Sequence, residues 1–218
     1  MRKSGILTII FCCCLLSRSL GSILTDTIRS NSLLYNGVEY TKGLTYNNES
    51  PFFGGDDFFK GDLTYYGNFY KGLDLQYDCQ DDVVLLKYPF GEKRIQLIKE
   101  KLDSFSLGEH KFVKAPVLGA GGGFYEQLYK GKRAVLVQWQ KRIVLNLSQQ
   151  ERYEMYKSIY LFDGKNSTRI SKASELLNLM GDRKKAIKQF YHDNRLSFKK
   201  DPEKAVVLMV QKAESEGW

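Results

Sequence analysis

From about Leu33 to Ile170 the chain is a succession of short runs rich in Tyr, Phe, Val, Ile and Leu, broken by Gly, Asn and Asp. Such runs predict antiparallel strands joined by tight turns. Leu63 to Tyr66 and Phe69 to Tyr77 flank Gly67-Asn68, and Val83 to Tyr88 and Lys93 to Ile98 flank Pro89-Phe90-Gly91. Ala134 to Val144 partly alternates, and Tyr153 to Phe162 repeats the style before Asp163-Gly164. No helical crossover of a dozen residues separates these runs, so a meander of roughly eight or nine strands is expected instead of a parallel sheet.

After Ile170 the apolar period lengthens. Ser171 can cap a helix carrying Leu176, Leu177 and Met180, and Asp182 one carrying Ala186, Ile187, Phe190 and Tyr191. Asp201-Pro202-Glu203 opens a third, with cap, proline and acid where free amides at a helix start favour them. Its apolar residues, Ala205, Val206, Met209, Val210 and Ala213, form one stripe. Helices this short are unstable alone and must pack on each other or on the sheet. The expected fold class is therefore α+β: a curved antiparallel meander over residues 22–170 and a cap of three short helices over 171–218, packed as one domain.

Residues 1–21 belong to neither part. Arg2 and Lys3 precede the apolar run Gly5 to Leu16, and small residues follow at Ser17, Ser19 and Gly21. The run is too short to span a bilayer, which takes about 20 apolar residues, and fits a secretory signal peptide cut after Ser19 or Gly21. Cys12, Cys13 and Cys14 lie inside that run and not at its small-residue end, where a lipid anchor would need its cysteine. The expected location is the periplasm or the exterior of the cell, with no transmembrane span in the mature chain.

Removing the signal changes the chemistry on offer. The full chain of 218 residues carries +8, but without Arg2, Lys3 and Arg18 it has 30 cations against 25 acids, and one cysteine, Cys79, in place of four. No basic stripe interleaved with aromatics points to nucleic acid. A lone thiol in an exported protein is best read as a buried small hydrophobe. His110 and His192 are the only candidate neutral-pH bases and read as ordinary surface residues. A Cys79/His110 dyad would need Cys79 exposed.

The remaining local motifs have structural readings. Gly119 to Gly123 lacks the Gly-Lys-Ser/Thr or helix-opening context of a phosphate loop and reads as a hairpin linker. Asp56-Asp57 and Asp78, Asp81 and Asp82 lack the alternating oxygen series of a calcium loop, and Asp81-Asp82, between two strand runs, reads as turn chemistry. Gly67 to Gly72 looks like one unit of a membrane-occupation repeat, but no second copy follows. Asn48, Asn146 and Asn166 begin glycosylation sequons. The 14 Tyr, 13 Phe and 2 Trp serve first as core and cross-strand packing, and otherwise as a sugar-stacking or protein-binding face.

Several strings occur together: Leu34-Tyr35-Asn36-Gly37-x-Glu39-Tyr40, Ser50-Pro51-Phe52-Phe53, Leu75-x-Tyr77-Asp78, Gly123-Phe124-Tyr125-Glu126-x-Leu128-Tyr129-x-Gly131 and Phe198-x-x-Asp201. With these the chain resembles an uncharacterised family of exported β-rich proteins of Gram-negative envelopes. The resemblance implies location and architecture, gives little weight to the sequons, and brings no catalytic residue, cofactor or metal ligand. The expected function is a non-enzymatic binding or structural module for a protein or cell-wall partner. A carrier of an apolar ligand held between sheet and helices is the alternative, and a carboxylate-dependent hydrolase the second.

Overall fold

The structure, a computed structural model, describes residues 32–41, 49–115 and 122–218. The expected signal peptide at residues 1–21, the sequon asparagine Asn48 and most of the glycine-rich segment lie outside them. The class is α+β, with one open antiparallel sheet that holds eleven strands among the described residues. They are β1 (Val38–Glu39), β2 (Phe59–Tyr65), β3 (Asn68–Asp78), β4 (Val83–Lys87), β5 (Arg94–Gln96), β6 (Leu102–Leu107), β7 (His110–Ala115), β8 (Gly123–Lys130), β9 (Ala134–Leu145), β10 (Glu151–Phe162) and β11 (Ser167–Arg169). The expected eight or nine fall short because β1 and β11 are two- and three-residue edge strands with no periodicity to read.

The order is β1-β5-β4-β3-β2-β6-β7-β8-β9-β10-β11. It is two meanders joined back to back at β2, which pairs with β3 on one side and β6 on the other. A flat sheet would hold β5 about 19 Å from β6, four strand spacings away. Yet only Leu97 to Lys101 connect them, and with Lys99–Lys101 wound into a 3-10 turn the link reaches about 16 Å, so the sheet is curled. At the far end the backbone N–H of Lys141 in β9 donates to the Cys79 carbonyl just past β3, at 3.2 Å, across the ends of four intervening strands. Register shifts at Gly61/Leu63 and Thr64/Tyr65 supply part of the bend in β2. Gly61 also brings backbones together, since a Cβ there would lie 1.8 Å from the Ser106 carbonyl oxygen.

The β2–β3 turn is Tyr66-Gly67, one residue earlier than the pattern suggested, and both residues have positive φ (50° and 71°). Asn68 pairs with Tyr65 and its side-chain amide donates to the Tyr66 carbonyl, so the asparagine braces the turn from its first strand position.

The inside of the curl is an aromatic core. Phe105 and Phe112 stack at 4.7 Å and 5°, and Tyr77, Phe53 and Phe124 pack around them. Tyr65, Leu75 and Leu102 are also buried there. The helices α1 (Ala173–Leu179), α2 (Lys184–Asp193) and α3 (Pro202–Ser215) pack on the same face farther along the sheet. Val206, Met209, Val210 and Ala213 of α3 meet Val135 and Val137 of β9 and Ile159 and Leu161 of β10, all buried. Asp201 caps α3 as expected, accepting from the Lys204 amide at 3.0 Å, with Pro202 in the first position. Ser171 does not cap α1; the Glu175 carboxylate reaches back to the Ser171 and Lys172 amides instead. Arg183, not Asp182, stands at the N-terminal boundary of α2. Trp139 packs against both cores, and so marks the joint between curl and cap.

Candidate functional site

Beside Trp139 the sheet divides. β8 and β9 pair from Lys130↔Ala134 to Glu126↔Val137 and no farther, after which β9 stays with β10 alone. At this divide the segment Ser50 to Phe53 runs beside the end of β3 and is reached from β9 by Lys141. The Phe53 amide donates to the Tyr77 carbonyl (2.8 Å), the Cys79 amide to the Pro51 carbonyl (3.0 Å) and the Lys141 ammonium to the Ser50 carbonyl (2.7 Å). The resulting cleft has a volume of about 690 Å³ and is walled by Phe53, Phe59, His110, Trp139, Tyr153 and Met155, with Lys141, Glu49 and Asp56 as its charged groups.

One carboxylate organises the wall. Glu126, buried in β8, accepts from Trp139 Nε1 through Oε2 at 2.7 Å and contacts His110 Nδ1 through Oε1 at 2.6 Å. A carboxylate only accepts, so the imidazole carries a proton on Nδ1 and donates it to Glu126. The His110 ring meets the edge of Phe53 at 4.9 Å, and Phe53 meets Trp139 at 5.0 Å, nearly perpendicular. Lys157 lies over the indole at 4.0 Å and bridges to Glu203 at the start of α3 at 2.8 Å. Burial pushes the Lys141 ammonium below its ordinary range, opposed by the nearby carboxylates of Glu49, Asp56 and Asp78. His110 lies at the surface, as expected, with its Nδ1 held by the buried Glu126. Sequence spacing offered no sign of this contact, because it depends on strand register: Glu126 pairs with Phe112 of β7 and Val137 of β9, each two residues from His110 and Trp139 on the same face.

Of the other residues weighed in the sequence, Asp56 lines the cleft, whereas Cys79, His192, Asp78, Asp81 and Asp82 do not. Cys79 is buried, and desolvation drives its thiol well above the usual range, so a Cys79/His110 dyad has no reactive thiol. His192 stands in the last turn of α2, edge-on to Tyr191. The turn expected of Asp81-Asp82 is braced by Asp78, which accepts from the Gln80 and Asp81 amides at 2.8 and 3.1 Å and from the Tyr40 hydroxyl at 2.7 Å. Asp82 instead reaches inward, to the Tyr77 hydroxyl (2.7 Å), Lys99 (2.6 Å) and the Phe124 amide (3.3 Å). Both carboxylates thus serve the fold. Among the described residues no group of three or more His, Cys, Asp or Glu is placed to hold a metal, and no helix is long and apolar enough to cross a membrane. Asn146 spends its side chain inside its own loop, and Asn166 sits in the β10–β11 turn, its amide on Asp163.

The fold and cleft define a β-rich α+β protein whose curled open sheet forks where β9 leaves β8. No family model, curated protein or solved structure matches the chain.

Proposed function

We propose that the protein is an exported, non-enzymatic binding module of the cell envelope, and that the cleft at the β8–β9 fork takes a saccharide segment of a cell-wall component. Export rests on the signal-like pattern of residues 1–21. The observation that carries the ligand class is the cleft's mixture of groups: aromatic rings beside one cation, two acids and an imidazole. Sugar hydroxyls both donate and accept, and sugar C–H faces stack on rings, so a saccharide uses both kinds of wall. A volume of about 690 Å³ lies within the usual range for a small-ligand site. The space between helices and sheet, where an apolar ligand would sit, is filled by side chains such as Val206, Met209 and Val210 with no exposed surface.

The chain has 2 tryptophans, so a Trp218→Phe variant leaves Trp139 as the only indole reporter. Titrating that variant with soluble fragments of envelope polysaccharides should change Trp139 emission saturably and shift the amide signals of Gly54, Gly55 and Lys141. Absence of both changes at millimolar fragment, with the fold intact, would rule the reading out.

A further inference from the structure

Beyond the fork, β9 and β10 continue as a two-stranded arm. β10 meets β11 only through Tyr160 to Phe162, and the last bond that β9 makes outside the hairpin is from the Lys141 amide. From Arg142↔Glu154 to Leu145↔Glu151 the two strands pair only with each other. Four residue pairs at about 3.3 Å each carry the tip roughly 13 Å out. The loop that closes it is held by Asn146, whose side-chain oxygen accepts from the Ser148 and Gln150 amides at 2.9 Å each. An ordered loop fixes Leu147 outward, fully exposed, next to Leu145 (59% exposed) and Ile143 (37%).

Three large aliphatic side chains on one projecting hairpin are an unusual investment. Ile143 and Leu145 share a face by strand alternation with Lys141 and Trp139, and Tyr153 lies opposite Ile143, so the apolar strip continues out of the cleft wall. Arg142 and Arg152 stand on the opposite face at the same height. Arg142 lies over the Tyr156 ring at 5.2 Å. Residues 141–157 hold four cations and two acids. One of those acids, Glu154, is already engaged by Arg152 (3.8 Å) and the Tyr156 hydroxyl (2.8 Å). An aliphatic tip flanked by cations matches the boundary of an anionic bilayer, where leucines enter the acyl region and guanidinium groups meet phosphates.

We infer that the β9–β10 arm is a membrane-surface anchor, inserting Leu145 and Leu147 into an anionic lipid leaflet while Arg142 and Arg152 contact its headgroups. Its occupant is a lipid surface and it is separate from the ligand cleft, so it stands whether or not the cleft takes a saccharide.

Flotation with vesicles of phosphatidylglycerol and phosphatidylethanolamine in equal parts tests it, with phosphatidylcholine vesicles as the neutral reference. The protein should float with the anionic vesicles and bind the neutral ones at least about tenfold more weakly, with the anionic binding falling as salt rises. Leu145→Asp with Leu147→Asp should lower binding about 100-fold, about tenfold for each lost anchor. Arg142→Gln with Arg152→Gln should remove most of the salt dependence while leaving binding to neutral vesicles unchanged. These positions are exposed, and equal thermal midpoints confirm intact folding. Leu179→Asp, an exposed apolar position on α1, should bind as the unaltered protein does. No flotation of the unaltered protein, or equal flotation of the double aspartate variant, overturns the inference. So does a concentration-dependent dimer, abolished by the same aspartates, in a protein that ignores vesicles.

Discussion

Glu126→Gln is the sharpest probe of the cleft wall. The amide keeps the size of the carboxylate but has one acceptor oxygen in place of two. Its oxygen will face Trp139 Nε1, because an amide N–H there would oppose the indole donor in a buried place. The NH₂ group then faces His110 Nδ1, which must lose its proton and accept, sending the proton to Nε2. A hydrogen bond to a charged acceptor is worth about 1.5–3 kcal/mol and a neutral one about 0.5–1.5, so the Trp139 contact loses about 1 kcal/mol. The His110 side chain is 45% exposed, so its contact with Glu126 is screened and contributes less. The expected destabilisation is about 1–2 kcal/mol, or roughly 2–8 °C in Tm for a chain of this size. Denaturant unfolding measures the energy, and long-range ¹H–¹⁵N correlation on ¹⁵N-histidine protein reads the tautomer. The His110 proton should sit on Nδ1 in the unaltered protein and on Nε2 in the variant. A variant of unchanged stability whose His110 keeps its proton on Nδ1 would refute the assignment of Glu126 as the shared acceptor.

Gly61→Ala should cost about 3 kcal/mol or more in denaturant unfolding, since its methyl would fall 1.8 Å from a backbone oxygen that cannot step aside. Gly67→Ala, with φ +71° but open space around it, should cost only about 1 kcal/mol; equal costs at the two sites would deny the close approach of β2 and β6. Burial, with Tyr160 and Asp82 nearby, pushes the Tyr125 phenol up to about 12. A raised phenol favours the fold below its unfolded value of about 10 and loses that contribution as pH climbs from there to about 12, so stability should fall across this window and Tyr125→Phe should flatten the fall. In a thiol-labelling experiment read by peptide mass spectrometry at mildly alkaline pH, Cys79 should remain unlabelled until the protein is unfolded, and fast labelling of the native state would contradict its burial.

The strands that alternate over five or more residues, and the helix opened by Asp201-Pro202, were legible because local pattern determines them. A curved meander was expected from the same pattern, but the contacts that close the curl and the break in strand order at β2 were not legible. They rest on residues distant in sequence, such as Lys141 with Cys79 and Ser50, and on a bulge at Gly61 that no hydrophobic pattern announces. The short edge strands β1 and β11 exist only because β5 and β10 offer them open edges. The cleft was hidden for the same reason: Glu126 reads as one more strand acid among the 25 acids of the sequence.

The scarcity of catalytic side chains, two histidines in the whole chain, is compatible with a built site because that site draws on packing as well as on acid–base groups. Trp139 fills the joint between the aromatic core and the helix-covered core, and its indole is fixed on three sides: by Glu126 at its N–H, by Phe53 at its edge contact and by Lys157 over its face. Lys157 is in turn held by Glu203 of α3. The C-terminal helices therefore do more than cover β9 and β10. They hold in place the aromatic wall of a cleft to which α1–α3 contribute no lining residue, which gives a physical reason for the sheet and its cap to fold as one unit.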